Sequence, residues 1–122
     1  MLSYEVYKIL HLAGIFSILV ALSASIFHVM SGGTKATNHF RKKLAILHGV
    51  GLLVTLVAGF GMLARLGIMA TPGWVITKMV IWLVLGMVTA ILYRKAKLAR
   101  PIFWLVLVLS ILAAYMAIYK PM

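Results

Sequence analysis

The sequence predicts an all-α integral membrane protein: a four-transmembrane-helix antiparallel bundle with both termini outside. Three observations predict it. Apolar residues make up 65% of the 122-residue chain, well above the ~45–50% usual for a soluble domain, so lipid must cover most of the surface. Four apolar runs, each near the ~20 residues that a helix needs to cross a ~30 Å hydrocarbon core, are separated by short polar breaks. Twelve Lys or Arg stand against one acid, Glu5, and most of the cations gather in the breaks. The length allows one domain, 1–122.

The first run covers about 4–30 and exceeds a perpendicular span, so it tilts or protrudes. Ala21, Ser23 and Ala24 resemble a cleavage site. No basic region precedes the apolar stretch, however, and Glu5 offsets Lys8, so the run reads as a retained helix. The second run covers about 44–66, the third 74–93 and the fourth 101–119. Helices are forced because backbone groups in lipid must be satisfied within their own segment. Thr71-Pro72-Gly73 breaks the chain between the second and third runs, and Trp74 is an interfacial anchor. Connections this short imply sequential neighbours packed antiparallel.

Orientation follows from the cations. The first connection carries Lys35, Arg41, Lys42 and Lys43, and the third carries Arg94, Lys95, Lys97 and Arg100; the other side has Lys8, Arg65, Lys78 and Lys120 at or inside helix ends. The excess puts the first and third connections in the cytoplasm, with the N- and C-termini outside. Membrane lipids are the expected contact of these cations, and nucleic acid is not an expected partner because no recognition fold accompanies the charge.

Heptad spacing marks a small-residue stripe on each of the first three helices. The stripes read Gly14, Ser17, Ala21, Ala24, His28; then His48, Gly51, Thr55, Ala58, Met62, Arg65; then Lys78, Trp82, Gly86, Thr89, Tyr93. Small residues let membrane helices approach closely, and polar ones avoid lipid, so these stripes are the expected bundle interior. On the fourth helix Ser110, Ala114 and Ala117 mark the expected inner face, with Tyr115 beside them.

Histidines and deep cations carry what chemistry there is. His28 and His48 fall near the cytoplasmic ends of adjacent helices, within about one turn (~5 Å) in depth. Imidazoles on facing helices are candidate axial ligands for a haem, and for its iron as metal, with Arg41, Lys42 or Lys43 near the propionates. The alternative is a pair of histidines that hydrogen-bond across helices or reach the interface. Nearer the outer side, His11, Arg65 and Lys78 gather with Glu5 as the one acid to offset them. This cluster suits a carboxylate, a quinone oxygen or a propionate; the alternative is cations that snorkel to headgroups. His11 and His48 differ in depth by about 10–15 Å, too far to share one metal without tilt. Each begins a His-x-x-Gly element, His11–Gly14 and His48–Gly51, which hints at an inverted pseudo-repeat. His39, in the basic loop, reads as solvated.

The chain has no cysteine, which excludes disulfides, iron–sulfur clusters, thiolate zinc sites and cysteine nucleophiles. It also has no acid within the spans for a proton relay, no nucleophile–base pair and no phosphate loop. Side-chain catalysis is not expected.

With these motifs placed, the chain resembles the SirB-type membrane proteins and, more distantly, the CopD and HemJ groups of bacterial four- to eight-helix proteins. The resemblance rests on Lys8-Ile-Leu-His11, Leu47-His48-Gly49-Val50-Gly51, Gly59-Phe60-Gly61 and Gly73-Trp74-Val75-Ile76-Thr77-Lys78. It implies a bacterial inner (plasma) membrane location and points to His11, His48 and Lys78. The chain departs from the SirB pattern at Gly51, where that group tends to have Asp, and near His28, where it tends to have Arg. HemJ is a haem-containing oxidase with Pro in the region of His48. The expected function is a protein that binds haem b, or another planar redox cofactor such as a quinone, through His48 with His28 or His11, with Arg65 and Lys78 engaging acidic groups. Two other classes stay open: a cofactor-free accessory subunit, and an oligomeric small-solute or metal transporter as in CopD. Each implies a second copy or a membrane partner.

Overall fold

The computed structural model describes residues 2–69 and 72–119, so Thr71 of the expected break and Lys120 lie outside the described residues. Helix α1 spans Tyr4–Met30, α2 Arg41–Leu66, α3 Gly73–Arg94 and α4 Ala99–Tyr119, with a 3-10 turn at Ala96–Leu98. Among the described residues there are four helices long and apolar enough to cross a membrane. The chain is a helical membrane protein.

Local chemistry explains the helix ends. Ser3 caps α1, its Oγ accepting from the Val6 N–H at 3.3 Å, and Glu5 in the first turn meets the positive end of the helix dipole. The helix ends in a Schellman motif: Gly32 takes φ +88°, its N–H reaches the Val29 carbonyl, and the Gly33 N–H reaches that of His28. Helix α2 ends the same way at Gly67, with the Ile68 N–H on the Leu63 carbonyl at 2.9 Å. Its start lies ahead of the apolar run, because Arg41, Lys42 and Lys43 are helical. Lys and Arg are good helix formers whose charges stay in water. Asn38 turns the chain into α2, its Oδ1 accepting from Phe40 N and its carbonyl from Arg41 N. Pro101 sits in the first turn of α4, where a missing N–H costs no helical bond.

Helix α1 is the hub. It packs most closely on α2 and also touches α3 and α4, while α3 packs on α4. The main core joins Ile18, Leu22, Ile26 and Val29 of α1 to Ile81, Leu85, Val88 and Leu92 of α3 and to Ala99, Ile102 and Val106 of α4. A smaller cluster toward the other end seats Trp74, Val75 and Met116 against Leu63 and Ile68.

Burial follows the expected stripe on α2, where His48, Gly51, Thr55 and Ala58 are buried. On α1 it does not follow one stripe: Gly14 and Ala21 are buried, but so are Ile18, Leu22 and Ile26, while Ala24 is exposed. A helix with three neighbours buries more than one face. On α3 the stripe Lys78, Trp82, Gly86, Thr89, Tyr93 is half-buried, and the deepest residues are Ile81, Leu85, Val88 and Leu92. The expected inner face of α4 is corrected: Ala114 and Ala117 are exposed, and Ile102, Val106 and Met116 are buried instead. Ser110 donates to the Val106 carbonyl of its own helix at 2.7 Å, so its hydroxyl needs no partner in the interior.

Candidate functional site: a basic-rimmed cleft

The polar side chains between helices use a shared device, in which a ring N–H donates to a carbonyl of the neighbouring helix. His11 Nδ1 lies 2.8 Å from the Thr55 carbonyl of α2. Trp82 Nε1 of α3 donates to the Leu52 carbonyl of α2 at 2.9 Å. His48 Nε2 lies 3.3 Å from the Leu85 carbonyl of α3. A carbonyl only accepts, so the proton is on Nδ1 of His11 and on Nε2 of His48, leaving one lone-pair nitrogen on each ring. Helical carbonyls keep a second lone pair, so such a bond leaves the helix intact.

Glycine lets α1 and α2 approach. Gly14 and Gly51 meet backbone to backbone, the His11 ring lies against Gly59, and the Tyr7 ring lies against Gly61. Residue numbers rise along α1 as they fall along α2.

Beside the basic ends of α2 and α3 lies an open cleft of ≈ 790 Å³, within the ~300–1,000 Å³ of typical ligand sites. His48 and Gly86 mark its deep end; Lys35, Arg41, Lys42 and Arg94 line its rim; Ala21, Ser25 and Thr89 are among its walls. Arg41 and His48 are seven residues apart on one helix, so the rim stands about 10 Å above the imidazole. The result is a cavity with an apolar body, a cationic rim and one imidazole.

His28 does not line this cleft. Its Nε2 is shared between the Thr34 carbonyl at 3.0 Å and Thr37 Oγ1 at 3.1 Å, and its ring lies against Gly33, so it braces the first loop. His11 and Lys78 are brought together toward the opposite end, within electrostatic reach of each other. His11 is on Thr55, seven residues along α2 from His48, or about 10 Å of helix. Arg65 is exposed in the last turn of α2, where a cation suits the helix dipole. His39 is exposed in the loop.

Among the described residues no group of three or more His, Cys, Asp or Glu could hold a metal ion. A haem asks less: one axial imidazole and cations for its carboxylates. The cleft supplies one imidazole, His48, and four cations, Lys35, Arg41, Lys42 and Arg94. The Nε2–H bond from His48 to Leu85 fixes its tautomer and leaves Nδ1 as its lone-pair nitrogen. Sequence reasoning used Lys35 and Arg94 only for topology and did not single out Ser25 or Asn38. The available signal was that Lys35, Arg41, Lys42 and Arg94 flank the helix ends nearest His48. Comparison of the chain with models of protein families, with curated proteins and with solved structures found no match.

Proposed function

We propose that this chain is a bacterial inner-membrane protein of SirB type that holds a planar anionic amphiphile, haem b first among that class, in the cleft beneath its basic rim. The observation that carries this reading is the placing of one buried imidazole, His48, at the deep end of a cleft whose rim holds Lys35, Arg41, Lys42 and Arg94. His48 would hold the iron through Nδ1, and the rim cations would engage the two carboxylates. The walls would exclude water from the ring. Bound haem supplies one-electron redox chemistry; the chain supplies binding, orientation and charge. The basic end lies in the cytoplasm by the positive-inside rule, with the helices alternating in direction as an antiparallel bundle and both termini outside. Electron exchange then calls for a membrane partner or a second copy.

An absorption spectrum of detergent-purified protein, oxidised and dithionite-reduced, tests the reading beside a His48→Ala variant. The expected result is a Soret band with sharp reduced α and β bands, lost in the variant. A featureless spectrum from cells supplied with haem precursor overturns haem b and leaves the accessory-subunit reading.

A further inference from the structure

The cleft has two sides, built differently. At the end of the bundle, the loop between α1 and α2 lies over it. Lys35 from that loop lines the cleft, and Asn38 Nδ2 donates to the Tyr93 hydroxyl of α3 at 2.9 Å. The loop is braced from within: the Thr34 N–H donates to Thr37 Oγ1 at 2.8 Å, and His28 Nε2 donates to the Thr34 carbonyl. Side chains from three segments strap this end.

The side between α2 and α3 is different. Ala45 and Ala90 line the cleft there, one from each helix, and both are exposed. Each is four residues inward from a rim arginine, Arg41 or Arg94, which is about 6 Å along the helix. Deeper in, side chains bridge the two helices. Leu52 comes to 3.5 Å from the point where a Cβ would stand on Gly86, and His48 and Trp82 bond across the interface. In the orientation proposed above, the methyl side chains of Ala45 and Ala90 stand one helical turn inside the rim arginines, at the level just inside the headgroups.

We infer that the cleft opens sideways to lipid and admits a membrane-dissolved anionic amphiphile between Ala45 and Ala90, not through the strapped end. This rests on the cleft being a ligand site. A molecule sliding in along this path keeps its anionic group at the level of Arg41 and Arg94, near the headgroups, while its apolar body passes from lipid to protein. The charge never crosses hydrocarbon, where burial is costly, and the apolar body never crosses water.

The chain has no cysteine, so spin labels at Ala45→Cys and Ala90→Cys, with His39→Cys as the loop reference, report on the opening in vesicles. Labels at 45 and 90 are expected to collide with lipid-dissolved oxygen in preference to a water-soluble nickel chelate, and the label at 39 to do the reverse. Uptake of hemin from loaded vesicles is expected to slow by about tenfold in Ala45→Leu/Ala90→Leu, as methyl posts give way to side chains that fill the gap. It is expected to be unchanged in Asn38→Ala. Nickel preference at 45 and 90 overturns the lateral opening whatever the Soret band shows. So does faster uptake in Asn38→Ala with no slowing in the leucine pair. Oxygen preference at both positions with no Soret band keeps the lateral opening and removes haem b.

Discussion

Gly14 and Gly51 face each other reciprocally: the carbonyl oxygen of each lies 2.9 Å from the point where a Cβ would stand on the other. The surroundings repeat the symmetry. Thr55, four residues after Gly51, packs over Gly14, and Ile18, four residues after Gly14, packs over Gly51. The two His-x-x-Gly elements are thus related by an approximate two-fold axis between α1 and α2. The histidines break it. His11 bonds to its partner helix at Thr55, whereas His48 turns away to Leu85 of α3. A third helix alongside α2 offers the Leu85 carbonyl as acceptor, and this imidazole of the pair lines the cleft.

Gly14→Ala or Gly51→Ala is expected to destabilise the protein by about 1–3 kcal/mol, because the new methyl meets backbone atoms that cannot rotate aside. The double variant should cost less than the sum, since one helix separation relieves both clashes. Gly49→Ala, with nothing within 4 Å of its Cβ position, should be neutral or slightly stabilising. Melting in detergent reads all of these.

Thr55 Oγ1 is a buried side-chain oxygen with no hydrogen-bond partner among the described residues. Thr55→Val replaces it by a methyl of similar shape and is expected to raise stability by about 1 kcal/mol. Thr55→Ser, which keeps the hydroxyl, should not. The ordering of the three denaturation midpoints is the test.

Trp82→Phe removes the N–H that reaches the Leu52 carbonyl while keeping an aromatic ring. Interhelical hydrogen bonds of this kind contribute about 0.6 kcal/mol on average and up to ~1.7 in lipid. A loss in that range is expected. A melting point equal to wild type would show that the bond adds nothing.

Arg41→Gln and Lys42→Gln each remove a cation from the rim. At about 1 kcal/mol per charge near a membrane surface, each should weaken hemin binding about fivefold at low salt, with a shallower salt dependence. Lys97→Gln, in the 3-10 turn, should change the affinity far less. Titrations at two ionic strengths distinguish rim contacts from the general field of a basic protein.

Helix positions were legible in the sequence because lipid imposes apolar runs of set length, and the α1–α2 contact was legible because glycine has few other uses inside a membrane helix. The inner face of α4 was not. A helix apolar all round carries no periodic signal, and Ser110 satisfies its hydroxyl within its own turn. The cleft was legible only as separate parts: His48, Arg41 and Lys42 were named as candidates. Their meeting with Lys35 and Arg94 depends on how α2, α3 and the first loop are placed together, a property of tertiary packing rather than of single residues. The strap from Asn38 to Tyr93 joins positions 55 apart, and one sequence holds no signal for such a pair.

The division of the cleft among its helices sets an order of events during synthesis. The α1–α2 hairpin has its glycine contact and the His11 bond once residue 66 is in place, and it already holds His48, Lys35, Arg41 and Lys42. Its second wall does not yet exist. Gly86, Thr89, Tyr93 and Arg94 arrive together on α3, along with the acceptor that orients His48. On the proposed reading, an amphiphile dissolved in the leaflet therefore meets a half-built cradle first, and the way in between Ala45 and Ala90 exists only once the third helix has docked.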